Sequence, residues 1–373
     1  MSKFLILANH YNTLRIFRRE LIMRLSNDGH DVLIAIPECE PEYKKVLEDY
    51  GATVRFIEME RRGMNPLKDI KLIETYKKLI VEFQPDKVLA YTIKCNIYGA
   101  YACKKKNIPF YANITGLGST FQGHGKTRKL VSTMYKHSLD KAKVIFFENA
   151  GNRDTLVEDG VVRKEQTVVM PGAGVNLDEF HYYPYPDDKD GITFLFVGRI
   201  MQEKGVDELF EAIEYICEKY PKTIFDFIGW YEDDYKERFE ALQEKGYTRF
   251  DGWQSDVRPF YEKCHCIIHP SWHEGMSNTL LEGSACGRPL ITNRIHGCME
   301  AVDEGVNGFL CDKKSAESIK ENLEKFLNLS NEQRAKMGVA GRKKTEKEFN
   351  KYDVVEKTIN LLFGKSNYFK GGY

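Results

Sequence analysis

The stretch "HPSWHEGMSNTLLEGSACGRPLITN", residues 269 to 293, decides how this chain folds. His269 and Pro270 close the apolar run "CHCIIHP". Ser277 is a helix N-cap residue type, and residues 278 to 286 have helical spacing, with Gly283, Ser284 and Ala285 small enough for close packing. "PLITN" then returns to an extended run. Strand, loop, helix and strand in this order make a βαβ unit, and parallel strands joined this way lie in a sheet wrapped on both faces. Such sheets bind ligands outside the carboxyl ends of their strands. That is where this stretch places two acids, Glu274 in the loop and Glu282 just over one turn into the helix.

The same alternation runs outward in both directions. Before residue 180, "KFLILA", "DVLIAI", "TVRFI", "DKVLAY", "PFYANI", "KVIFFE" and "TVVM" read as strands, with helical patterns at 12 to 27, 66 to 83, 95 to 106 and 124 to 138. A second series follows: "ITFLFVG", "IFDFIG", "RFDGW", "CHCIIHP", "PLITN" and "GFLC". Between the two lies "HYYPYPDDKDG", with the composition of a linker. The expected plan is a domain over 1 to 180, a linker over 181 to 191, a second domain over 192 to 347, and a C-terminal amphipathic helix and tail over 348 to 373. A chain of 373 residues suits two cores rather than one.

With 42% apolar and 29% charged residues and no low-complexity tract, the composition excludes disorder. Apolar runs of four or five residues fall far short of the ~18 to 20 that span a bilayer. The N-terminus passes straight into a strand, so the expected location is the cytoplasm. Nine scattered cysteines argue for reduced thiols, and the sequons "NIT" and "NLS" are then chance matches. Cys264, Cys266, His269 and His273 imitate a metal site. On a strand through "CHCIIH", however, Cys264 and Cys266 face one side and His265 and His269 the other, so no metal is expected. Net charge is zero but uneven. Residues 1 to 180 carry 28 basic against 22 acidic residues and the remainder 27 against 33, turning the first half toward an anionic partner.

A second motif precedes the opening stretch. "FLFVGRIMQEKG", residues 194 to 205, is a strand followed by Gly198, Arg199, Lys204 and Gly205 at the mouth of a helix bearing Leu209, Ile213 and Ile216. A guanidinium and an ammonium beside a helix N-terminus make a site for a phosphate or diphosphate. Glu274 and Glu282 suit sugar and ribose hydroxyls, because a carboxylate accepts paired hydrogen bonds. The amides of Gly275, Met276 and Ser277 are further candidates for phosphate oxygens.

Taken together, these two segments resemble those of the retaining family 4 (group 1) glycosyltransferases of the GT-B fold, which pair a "GR…EKG" loop with an E-x7-E element. "VMPGAGVNLDEF" (169 to 180) and "GVNGFLC" (305 to 311) extend the likeness along the chain. The resemblance implies two Rossmann-like α/β domains with parallel sheets facing a central crevice, the C-terminal helix crossing back to the first domain. It also implies a UDP-sugar donor, no metal and no other cofactor. Arg199, Lys204 and Glu274 become the catalytic set. Gly198, Gly275, Met276, Ser277, Asn278 and Glu282 become the nucleotide-sugar set, with Glu282 on the ribose and Glu274 on the transferred sugar.

"TIKCNIYGAYACK" (92 to 104) and "ANITGLGSTF" (112 to 121) resemble elements of bacterial polysaccharide and lipid-linked-oligosaccharide transferases, including those that add N-acetylgalactosamine to diphospho-undecaprenol sugars. The acceptor or sugar side then falls to Asn9, His10, Arg18, Lys94, Thr115, Gly116 and His124. This chain departs from the pattern with "ANHYNTLR" where many members have a Gly-Gly loop, and with Cys95 in place of a proline. The implied partner is a polyprenyl-diphosphate or oligosaccharide acceptor. The basic segment "GHGKTRKLVSTMYKH" (123 to 137) is expected to dock on the inner membrane surface. A UDP-sugar epimerase on the same scaffold and a non-catalytic assembly subunit are the competing readings. "GLG" and "GAG" lack the rest of a dinucleotide fingerprint, which disfavours an oxidoreductase.

Overall fold

The computed structural model describes residues 1–60, 65–118, 121 and 125–365. The chain divides into two compact units, Met1–Ala173 with Tyr352 onward, and Gly174–Lys351.

The first unit is built on seven strands: β1 (Lys3–Leu7), β2 (Asp31–Ile36), β3 (Thr53–Phe56), β4 (Lys87–Tyr91), β5 (Phe110–Ile114), β6 (Val144–Phe147) and β7 (Thr167–Val169). They lie in the order β3-β2-β1-β4-β5-β6-β7, every pairing parallel. Strands such as β1, β2 and β6 read as unbroken apolar runs because helices cover both faces of the sheet. Its helices are α1 (Tyr11–Phe17), α2 (Arg19–Asn27), α3 (Pro41–Asp49), α4 (Pro66–Phe83), α5 (Ile93–Lys104), α6 (Lys126–Leu139) and α7 (Ala150–Glu158). Tyr76 and Leu79 of α4, Cys95 of α5, Tyr135 of α6 and Leu156 of α7 share one core, while Leu14, Ile22 and Leu47 of α1 to α3 share the other.

The second unit repeats the plan with six parallel strands, β8 (Ile192–Val197), β9 (Thr223–Ile228), β10 (Thr248–Phe250), β11 (Cys266–His269), β12 (Leu290–Asn293) and β13 (Gly308–Cys311). Their order is β10-β9-β8-β11-β12-β13. Helices α8 (Val206–Lys219), α9 (Lys236–Glu244), α10 (Arg258–Lys263), α11 (Asn278–Ala285), α12 (Ala316–Leu327) and α13 (Asn331–Glu348) flank it. The last helix, α14 (Lys351–Leu362), returns to the first unit: Val354, Val355 and Ile359 bury with β1 and β2, and Tyr111 donates its hydroxyl hydrogen to Leu362 O at 3.2 Å.

All thirteen strand segments read from the sequence appear as strands. Two expectations change. The helical pattern over 12 to 27 is broken at Arg18 (φ −130°, ψ 11°), which ends α1 and begins α2 while its guanidinium pairs with Glu148 at 2.9 Å. Residues 181–191 do not behave as a loose linker, because they are tied to the second unit. The buried Arg288 donates to Tyr183 O and Pro184 O, Tyr185 donates its hydroxyl to His265 O, and Arg334 pairs with Asp188 at 3.0 Å. Pro, Asp and Tyr set the irregular backbone there, but the partners that hold it come from the residue before β11, from α13 and from the turn after α11.

Candidate active site

In the second sheet the strand order reverses between β8 and β11, and in the first between β1 and β4. The crevice outside the carboxyl ends at such a reversal is where doubly wound sheets take ligands. Gly198 and Arg199 follow β8; the loop 270–277 follows β11. A Cβ on Gly229, the residue after β9, would come within 1.8 Å of Gly198 O, so the two strand ends approach too closely for a side chain there. Arg199 is partly exposed, its Nη1 3.8 Å from Glu232 Oε1.

The two motif loops are stitched together. Trp272 N and Ser271 Oγ donate to Glu203 O at 2.9 and 3.3 Å, and Asn293 Nδ2 donates to Pro270 O and Ser271 O at 2.7 and 3.0 Å. Gly205, in the left-handed region at φ +72°, permits the approach, since a Cβ there would lie 2.1 Å from Pro270 O.

The outcome is one charged cluster. The Lys204 ammonium donates to Glu274 Oε1, and His269 Nε2 lies 2.8 Å from the same oxygen. Burial pushes the Glu274 carboxyl up, but Lys204 and His269 outweigh it and hold the acid well below the usual carboxylate range. Burial keeps the His269 ring below its ordinary value. Glu282 sits in the opposite environment. Burial pushes its carboxyl up to about 7, offset in part by a 2.9 Å hydrogen bond from the Tyr261 hydroxyl and by Lys351, while Glu179 adds to the rise.

Ser277 occupies the N-cap of α11, but its hydroxyl caps nothing and is buried with no hydrogen-bond partner among the described residues. Its amide is not available for phosphate, because it donates to Gly297 O at 2.8 Å. Gly297, at φ +90°, is required there, since a Cβ would meet Gly275 O at 2.6 Å. Gly275 and Met276 are buried beside it, while Asn278 opens the helix half-buried, with the first-turn amides of α11 lacking intrahelical acceptors.

On the first unit, Asn9 and His10 follow β1. His10 Nδ1 caps α1 by accepting from Asn12 N at 3.2 Å, and its ring stacks on Tyr11, which stacks on Tyr43. His10 and Tyr11 line a cavity of about 470 Å³ with Pro37, Glu38, Cys39 and Glu40. Arg18, 11% exposed, pairs with Glu148 after β6 and lies 4.9 Å over the Tyr91 ring at the end of β4. Lys94 pairs with Asp69 of α4 at 3.2 Å. Thr115 and Gly116 follow β5, half-buried. The strand order thus gathers Asn9, His10, Arg18, Lys94, Thr115 and Gly116 at one end of one sheet; His124 lies outside the described residues. Arg18 and Lys94 are both engaged in ion pairs there.

Sequence reading missed His269 as a partner of Glu274, Tyr261 as a partner of Glu282, and Gly297 as the neighbour of Gly275. His269 drew notice only as a metal-ligand type, and Tyr261 carried no signal because its partner lies 21 residues on. The reading of the cysteines changes too. The strand begins at Cys266, so Cys264 packs with Ile267 on one face and Cys266 with Ile268 on the other. Of the two histidines, His265 accepts from Thr193 N and His269 turns to Glu274.

Comparison with known proteins follows the same division of the chain. Residues 184–344 match the family model of group 1 glycosyl transferases, and residues 3–149 match the glycosyl transferase 4-like model. A relative from Campylobacter jejuni, N,N'-diacetylbacillosaminyl-diphospho-undecaprenol alpha-1,3-N-acetylgalactosaminyltransferase, is 24% identical over 327 residues, 83% of this chain and 85% of its own length. The structure of Anabaena HepE in complex with UDP-glucose superposes with a TM-score of 0.79 at 17% identity, covering 98% of this chain and 100% of that one. Sucrose-phosphate synthase of Thermosynechococcus elongatus gives 0.80 at 17% identity over the same shares. At such identities the superpositions speak for the fold, two Rossmann-like units of the GT-B architecture. With both halves matched by glycosyl transferase models and the strand reversals holding the motif residues, the chain belongs to the group 1 glycosyl transferases.

Proposed function

We propose that the protein transfers a hexose or N-acetylhexosamine from a UDP-sugar to a lipid-linked or oligosaccharide acceptor, with retention at the anomeric carbon and without a metal, in surface polysaccharide synthesis. The observation that carries this reading is the Lys204–Glu274–His269 cluster at the β8/β11 reversal, beside Arg199 and the uncapped start of α11. Glu274 takes hydroxyls of the transferred sugar and Glu282 those of the ribose, while Arg199 and Lys204 face the diphosphate. As the bond between C1 and the β-phosphate oxygen breaks, its electron pair passes to the diphosphate, whose growing charge the two cations stabilise. The acceptor oxygen bonds to C1 from the same face, and its proton passes to the departing phosphate oxygen.

Two relatives support the substrates. The Campylobacter protein is named for a diphospho-undecaprenol acceptor, and HepE binds UDP-glucose. Among the described residues no helix is long and apolar enough to cross a membrane, and the protein acts at the cytoplasmic face, held there by charge. The test is a panel of UDP-sugars, each incubated with and without a polyprenyl-diphosphate-linked sugar, with the product linkage read by NMR. An α-linked product that requires the acceptor supports the reading. A changed sugar nucleotide formed without acceptor replaces it with epimerisation, and silence across a panel of UDP-sugars that also fail to bind refutes it.

A further inference from the structure

His269 has no role in that scheme, yet it is the most buried member of the cluster. It is the last residue of β11, 3% exposed, and its ring stacks on Phe196 with centroids 6.1 Å apart. The strand end is pinned: Thr292 Oγ1 donates to His269 O at 2.6 Å. Nε2 is 2.8 Å from Glu274 Oε1, while Nδ1 is buried with no hydrogen-bond partner among the described residues. A ring protonated on both nitrogens would bury an unpaired N–H and a second positive charge beside Lys204. A neutral ring with its proton on Nε2 leaves only an unpaired acceptor and serves Glu274 as a donor. The Lys204 ammonium reaches the same oxygen, Oε1. Two donors thus converge on one oxygen of the carboxylate.

We propose that His269 is a positioning residue for transfer: as a neutral Nε2–H donor to Oε1 it holds the Glu274 carboxylate in the orientation that meets a hydroxyl of the transferred sugar. This rests on the reading of Glu274 as the sugar-contacting carboxylate. Lys204 cannot set that orientation alone, because an ammonium is a point charge on a flexible stem. An imidazole clamped between a strand end and Phe196 has one direction of donation.

The experiment compares wild type with His269→Phe, His269→Gln and Glu274→Ala for kcat, KM for the UDP-sugar and Kd for UDP, and reads the wild-type ring tautomer by 15N NMR near neutral pH. His269→Phe should lose about 10- to 100-fold in kcat, the size of one hydrogen bond to a charged group, with Kd for UDP unchanged. His269→Gln should recover most of that loss, because its amide N–H can replace Nε2–H. The ring should carry its proton on Nε2. Wild-type kcat in His269→Phe, with Glu274→Ala inactive, overturns the positioning role and leaves the transfer reading standing. An active Glu274→Ala overturns the reading of Glu274 as the sugar-contacting carboxylate, on which the proposal rests. If the Phe variant does not fold, the Gln variant and the tautomer decide: a proton on Nδ1, or a folded Gln variant as slow as Glu274→Ala, overturns the proposal.

Discussion

At the scale of residues, one motif holds two glutamates whose surroundings drive them apart. Glu274 meets an ammonium and an imidazole and stays ionised; Glu282 meets burial and one tyrosine hydroxyl and rises to about 7. A carboxyl raised in the fold favours the protonated fold. Its contribution is full below the unfolded value near 4.5 and is lost as pH climbs through 7. Glu282→Gln should therefore be more stable than wild type at pH 8, by on the order of 1–3 kcal/mol, with the gap closing toward pH 5; thermal melts at the two pH values check it. The same ionisation should control the nucleotide. Ribose hydroxyls donate to a carboxylate, so affinity for UDP-N-acetylglucosamine, whose phosphates do not titrate near neutrality, should rise from pH 6 to 8 in wild type. Calorimetry on Glu282→Gln should show weaker binding and no such rise. Glu274→Ala should abolish transfer while UDP still binds, and lost UDP affinity in that variant would move Glu274 to the nucleotide.

At the scale of elements, the turn into α8 exists in its observed form because Gly205 can sit against Pro270. Gly205→Ala adds a side chain in the left-handed region, costing about 1–3 kcal/mol, and directs it at a backbone oxygen. The expected result is a lower melting temperature together with weaker UDP-sugar binding, because Lys204 and the β11 loop lose register. Equal binding in a folded Ala variant would show that the stitch is not needed. Helix α6 shows a different sorting. Val131, Tyr135 and Leu139 face the core and Met134 packs against it, leaving Leu130 as the exposed apolar residue among Lys126, Lys129 and Lys136, while Arg128 pairs with Asp159 at 2.7 Å. An inserted amphipathic face is thereby removed, and attachment by charge is what this helix can offer, at about 1 kcal/mol per basic residue. Liposomes with anionic lipid should pellet the protein at low salt and release it at high salt, and replacing Lys126, Lys129 and Lys136 by Ser should reduce the pelleted fraction. Equal pelleting of wild type and variant would place the contact elsewhere.

At the scale of the whole molecule, two sheets share one strand order over six strands, and each has its candidate residues at its own reversal. The charge asymmetry along the sequence leaves the first 180 residues basic, while the acidic remainder carries Arg199 and Lys204 after β8. If those two residues neutralise the diphosphate, transfer should continue at its full rate after dialysis against EDTA, and either Arg199→Ala or Lys204→Ala should slow it strongly. A rate that collapses in EDTA and returns with manganese would transfer that role to a metal.

The sequence by itself determined the alternation of strands and helices, because short unbroken apolar runs and amphipathic runs of period 3.6 are local signals. It also marked the candidate loops, since glycines, cations and acids cluster where strands end. It did not determine where α1 gives way to α2, how residues 181–191 are held, or which partner each glutamate has. Those depend on Arg18 reaching Glu148, on Arg288 reaching Tyr183 and Pro184, and on Tyr261 and His269 arriving from other elements. Residues far apart along the chain become neighbours only when the sheet orders its strands, and the ionisation of Glu274 and Glu282 follows from those neighbours and their burial rather than from the spacing of the motif.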